Sequence, residues 1–145
     1  MNVTSDWLLW MMAMAHLASF RSKDSTKVGA VLIGKNKEVL LTAFNGPPIG
    51  VEDLPERFVR PEKYLYASHA EANLVAFAAR NGIVTEGMGV VVTHCPCASC
   101  ARSLIQAGIS WVAVGNGTTS MPEEEFDAAR TMFEEAGVKL LVGDV

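Results

Sequence analysis

The chain has 145 residues, half of them apolar and 19% charged, with a formal net charge of −4. That size suits one domain over 1–145 with a core of its own, needing no staples. Polynucleotide binders carry a basic stripe that neutralises phosphates. Here the densest basic stretch, Arg21, Lys23, Lys27, Lys35 and Lys37, is broken by Asp24 and Glu38, which suits one phosphate and not a long strand.

In chain order, Thr4, Ser5 and Asp6 offer caps for a helix over 5–20. Residues 7–20 (WLLWMMAMAHLASF) are apolar but too few for a membrane span, which takes about 20 residues, and no basic residue precedes them as in a secretory signal. The expectation is a buried first helix, with His16 a core histidine, and no membrane partner. Residues 28–33 and 38–44 read as two strands joined by the short turn GKNK. Residues 46–63 are rich in Gly, Pro and charge and read as a long loop, a length often tied to function. A helix over 69–80 ends at Asn81-Gly82, and an apolar strand follows over 88–93. A helix over 97–107 ends at Gly108, and a strand covers 111–115. Residues 122–135 form a helix with Pro122 near its start, and 138–142 a last strand. Strands alternating with helices over the second half predict an α/β fold, with a largely parallel sheet covered on both faces.

Cys95, Cys97 and Cys100 are the only cysteines and fall within six residues. Crowding and an odd count argue against a disulfide framework and for metal ligands or a reactive thiol, in a reducing, cytoplasmic setting. Cys97 and Cys100 are three apart at a helix start, so their sulfurs share one face, and the helix dipole there favours thiolate. His69 opens another helix and is the third candidate ligand. Three protein ligands leave a fourth tetrahedral position open, the pattern of catalytic zinc. Glu71, two residues on, is the candidate proton carrier beside that position. Cys95 and His94 read as packing or pocket wall.

His69-Ala70-Glu71 followed by Pro96-Cys97-Ala98-Ser99-Cys100 is the pairing that zinc nucleobase deaminases carry. On these residues the chain resembles the cytidine-deaminase superfamily, and within it the deoxycytidylate deaminases. RSKDSTKVGAVL (21–32), AFNGPPIG (43–50), YLYASHAEANLVAFAARNG (64–82), VVVTHCPCASCARSLIQAGI (90–109) and AARTMFEEAGVKLL (128–141) are similar to that family's segments in their order and spacing. The resemblance implies a three-layer α/β/α sandwich on a five-stranded mixed sheet whose first strand is antiparallel. It implies hydrolysis of dCMP to dUMP and ammonia. Carried over by position, His69, Cys97 and Cys100 hold zinc, one ion per chain since no cysteine precedes Cys95, and Glu71 moves protons. Asn45 would hydrogen-bond the sugar or pyrimidine, Tyr66 would pack on the sugar, and Arg21 and Lys23 would meet a phosphate of substrate or effector. The resemblance further implies a homo-oligomer regulated by dCTP and dTTP. Ala43-Phe44 stands where the family has Gly-Tyr, a departure that touches this regulation more than the chemistry.

Other readings share the metal core: deaminases of CMP, modified dCMP, cytosine, guanine or a riboflavin precursor. Free cytidine deaminases usually present cysteine where His69 stands, and a tRNA adenosine deaminase would be more basic. A non-catalytic zinc module would have no use for Glu71.

Overall fold

The computed structural model describes residues 3–143. The chain runs α1 (Ser5–Ser19), β1 (Gly29–Ile33), β2 (Val39–Phe44), α2 (Lys63–Tyr66), α3 (Ala70–Asn81), β3 (Gly89–His94), α4 (Ala98–Gln106), β4 (Trp111–Gly117), α5 (Glu123–Glu135) and β5 (Lys139–Val142), with one 3₁₀ turn at Pro55–Phe58. The five strands form one sheet in the order β2-β1-β3-β4-β5. β1 is antiparallel to both β2 and β3, whereas β3, β4 and β5 are mutually parallel. β1 is thus the single reversed strand, as the resemblance implies. The turn between β1 and β2 closes with the Gly34 amide donating to the Glu38 carbonyl at 2.8 Å, and Lys37 takes a positive φ of 68°.

The period of two along the strands sorts their side chains into two cores. Ala30, Leu32, Val90, Val92, Val112 and Val114 face the layer of α3, α4 and α5. Val31, Ile33, Val91, Trp111 and Ala113 face α1, meeting Met11, Met12 and Ala15. Because both faces are covered, β1 and β3 read as continuous apolar runs and not as alternation. Each fully buried Val, Leu or Ile contributes roughly 1.5–3 kcal/mol. Gly89 lies under the Trp111 indole: a Cβ there would fall 2.0 Å from a ring atom. The helices of the larger core end where the residue after Gly82 and Gly108 returns its amide to an earlier carbonyl, both glycines at positive φ. That geometry sends the chain straight into the next strand.

The first helix departs from expectation. Its buried residues are Met11, Met12, Ala15 and Ser19, while Leu9, Trp10, Leu17 and Phe20 are exposed. The reason is that, among the described residues, α1 is the one helix on its side of the sheet, and none of them covers its outer face. His16 is half-buried and not a core residue. No helix among the described residues is long and apolar enough to cross a membrane.

This topology brings the start of β1 and the ends of β2, β3 and β4 to one edge of the sheet. In open α/β sheets, sites form outside the carboxyl ends of the strands.

Candidate active site

Two helix N-termini meet at that edge. His69 and Cys97 are the N-cap residues of α3 and α4, each with extended φ and ψ and neither capping through its side chain. Their side chains are therefore free to turn toward each other. His69 Nδ1 lies 3.5 Å from Cys97 Sγ and 3.3 Å from Cys100 Sγ. The three ligand atoms fall within 4.8 Å of one another, and both cysteines are buried. One imidazole nitrogen and two sulfurs converging this closely is the soft donor set that zinc takes, with Zn–S near 2.3 Å.

The electrostatics favour anionic sulfur. Cys97 is pushed down to about 4, chiefly by a hydrogen bond with Cys100 and further by His69. Cys100, the donor of that pair, is pushed up because the shared hydrogen bond keeps its proton in place. The same Cys97 sulfur raises the His69 imidazole. Glu71 sits on the first turn of α3 and is buried, 4% exposed. Burial pushes its carboxyl up, against the pull of its own amide and of His69. A raised carboxyl beside the His69, Cys97 and Cys100 cluster is suited to holding and releasing a proton.

The helices are locked by side-chain ties. Glu125 of α5 accepts the free Ala98 amide of α4 at 3.2 Å, answering one orphan donor of that terminus. Asn73 of α3 donates to the Phe44 carbonyl at the end of β2 at 2.8 Å. Gly46 and Ser68 exchange backbone hydrogen bonds of 3.0 and 2.8 Å, which pins both ends of the long loop beside His69.

A cavity opens over these groups, lined among others by Asn45, His69, Glu71, His94, Cys95 and Cys97. Asn45 is buried there: its Oδ1 accepts the Val28 amide at 3.0 Å and its Nδ2 donates to the Thr26 carbonyl at 2.8 Å. It builds the wall as much as it presents a polar group. His94 and Cys95 form wall as well, and burial holds the His94 imidazole below its ordinary value.

Arg21, Lys23 and Tyr66 are not brought to this cavity. Arg21 and Lys23 are exposed, and the Lys23 ammonium pairs with Asp53 at 2.8 Å. The Tyr66 ring instead carries the Arg57 guanidinium, 4.2 Å from its centre. The neighbours of these residues line it in their place: Asp24, Lys63 and Tyr64, together with Arg60 and, from the loop after β4, Ser120. Asp24 and Lys63 form a buried ion pair of 3.0 Å, their side chains 4% and 8% exposed. The RSKD segment alternates exposed and buried, and only the parity was illegible in the sequence.

A mixed sheet that brings an imidazole, two thiols and a buried carboxylate onto facing helix starts defines a zinc-dependent hydrolytic deaminase class. Comparison with known proteins bears this out. Residues 5–116 match the model of the "Cytidine and deoxycytidylate deaminase zinc-binding region". The "Uncharacterized deaminase in luxG 3'region" of Aliivibrio fischeri is 40% identical over 140 residues, covering 94% of this chain and 92% of its own. The deoxycytidylate deaminase of Mus musculus is 36% identical over 140 residues, covering 92% of this chain and 77% of its own. Among solved structures, the dCMP deaminase of cyanophage S-TIM5, in complex with dCMP and dUMP, superposes with a TM-score of 0.81 at 25% identity, covering 98% of this chain and all of its own. The chain belongs to the cytidine and deoxycytidylate deaminase family.

Proposed function

We propose that this protein hydrolyses dCMP to dUMP and ammonia. The observation that carries the chemistry is Glu71, a buried carboxylate beside the His69, Cys97 and Cys100 cluster on the wall of an open cavity. Relatives named as deoxycytidylate deaminases over most of the chain support the substrate.

His69, Cys97 and Cys100 would hold the zinc ion, one per chain, since among the described residues this is the cluster that gathers such ligands. Bound there, zinc would supply a Lewis acid that lowers the pKa of water toward neutrality. Glu71 takes a proton from the attacking water and delivers it to N3 of the pyrimidine. After the water oxygen has bonded to C4, Glu71 takes that oxygen's remaining proton and passes it to the exocyclic amine, the C4–N bond breaks as the C4–O bond becomes a carbonyl, and ammonia leaves. Asn45 holds the wall against the sugar and base through its two backbone bonds. Three cysteines free of disulfides fit a reducing, cytoplasmic setting. The exposed apolar side of α1 supports a homo-oligomer. Phe44 stands exposed at the end of β2, and control by dCTP or dTTP would work without a hydroxyl at that position.

The test is a substrate panel on zinc-loaded protein, following the ultraviolet loss of cytosine for dCMP, CMP, deoxycytidine, cytosine and dCTP, with guanine and adenosine as controls. Turnover of dCMP well above all others is the expected result. No turnover of any cytosine compound, with zinc bound, would sink the proposal.

A further inference from the structure

We propose that Arg60 reads the 5′-phosphate of the substrate at the outer lip of the cavity. This rests on the deoxycytidylate reading above and supplies the cation that a monophosphate requires. The Arg and Lys side chains lining the cavity are Arg60 and Lys63. Lys63 is spoken for: its ammonium is buried at 3.0 Å from the Asp24 carboxylate. Drawing it onto a ligand would strip a buried carboxylate of its counter-ion.

Arg60 is placed differently. It is exposed, and its Nε donates to the Tyr64 hydroxyl at 2.6 Å while its Nη2 donates to Ser120 Oγ at 2.9 Å. These acceptors are neutral, so they fix the guanidinium without cancelling its charge. Ser120 belongs to the loop after β4, 60 residues along the chain, so the bond spans two loops. The guanidinium also lies 5.9 Å from the centre of the Tyr64 ring, a second restraint on its plane. Of the five N–H groups of a guanidinium, two are used, and the rest are available to a phosphate in the bidentate geometry that suits it. Ser120 accepts from Arg60, which leaves its own O–H to donate to the same anion. A deoxynucleoside without the phosphate cannot use this pair, so the lip sets the preference for nucleotide over nucleoside.

The experiment compares wild type, Arg60→Gln and Arg60→Lys. It reads kcat/KM for dCMP and for deoxycytidine, and by calorimetry the affinity for dUMP and for deoxyuridine. Arg60→Gln is expected to cut the preference for the phosphorylated member of each pair about 10- to 100-fold, the size of a charge-assisted hydrogen bond lost. Arg60→Lys restores part of it, because charge returns without the fork. An undiminished preference in Arg60→Gln overturns the assignment. So does an equal loss on both members of each pair, which marks general damage. A wild-type protein that turns over no cytosine compound and binds no dUMP removes the deoxycytidylate reading itself, an outcome distinct from either.

Discussion

The role proposed for Glu71 rests on its position. On an exposed helix start a glutamate would do no more than favour the dipole. Here burial raises its carboxyl beside the His69 and Cys97 groups. Glu71→Gln keeps the shape and removes the titrating oxygen, so turnover should fall by about 10²–10⁴-fold or more while metal analysis still finds zinc. Cys97→Ser is the contrast: zinc content and thermal stability should fall together, because in the proposed site the ion would join two helix starts. If Glu71→Gln turned over substrate at the wild-type rate, the proton would travel by another route. The metal triad and Glu71 were legible as residues because their spacings are local: His69 to Glu71 within one turn, Cys97 to Cys100 within another. Asp24 and Lys63 were not, since they lie 39 residues apart and neither carries a local signal of its partner.

At the scale of elements, that ion pair ties the segment entering β1 to the turn of α2. Asp24 also accepts the Thr26 amide at 2.9 Å, and Thr26 in turn holds Asn45, so the pair anchors one wall of the cavity. Lys63→Met leaves a buried carboxylate unpaired, a change that costs about 3–5 kcal/mol. Denaturant melts should show that loss, and adding Asp24→Asn to Lys63→Met should recover part of it. A single variant as stable as wild type would mean the pair is solvated and holds nothing. The 3₁₀ turn and α2 fall in and just after the stretch read as loop and carry no apolar period to mark them. The other helices and the strands sit within a residue or two of the sequence reading, since apolar runs, Pro122 and the closing glycines mark them locally. What misled was α1: continuous apolar sequence suggested burial all round, yet a lone helix on one side of a sheet has only one face to bury.

For the whole molecule, that uncovered face has a consequence. Trp7 and Trp10 pack edge to face at 5.7 Å on the exposed side of α1, with Leu9, Leu17 and Phe20 also open to solvent. Large apolar areas of this kind on a folded chain mark association surfaces. Light scattering should give a mass at least twice the 15.6 kDa of one chain, and Trp10→Glu should shift it toward one chain without unfolding the protein. A wild-type monomer at working concentration would end that expectation. The sequence by itself determined the α/β class and the order of the elements, because these follow from local patterns. It also pointed to His69, Glu71, Cys97 and Cys100 through two short motifs; the fold then brought the two motifs together across 28 residues. The tertiary structure alone decided which side of the RSKD segment faces the cavity. It also decided that Tyr64 and Arg60 line the cavity in place of Tyr66 and Arg21, and that α1 is left half-covered. Those choices depend on which distant segments the sheet topology sets side by side, and neither periodicity nor composition carries that information.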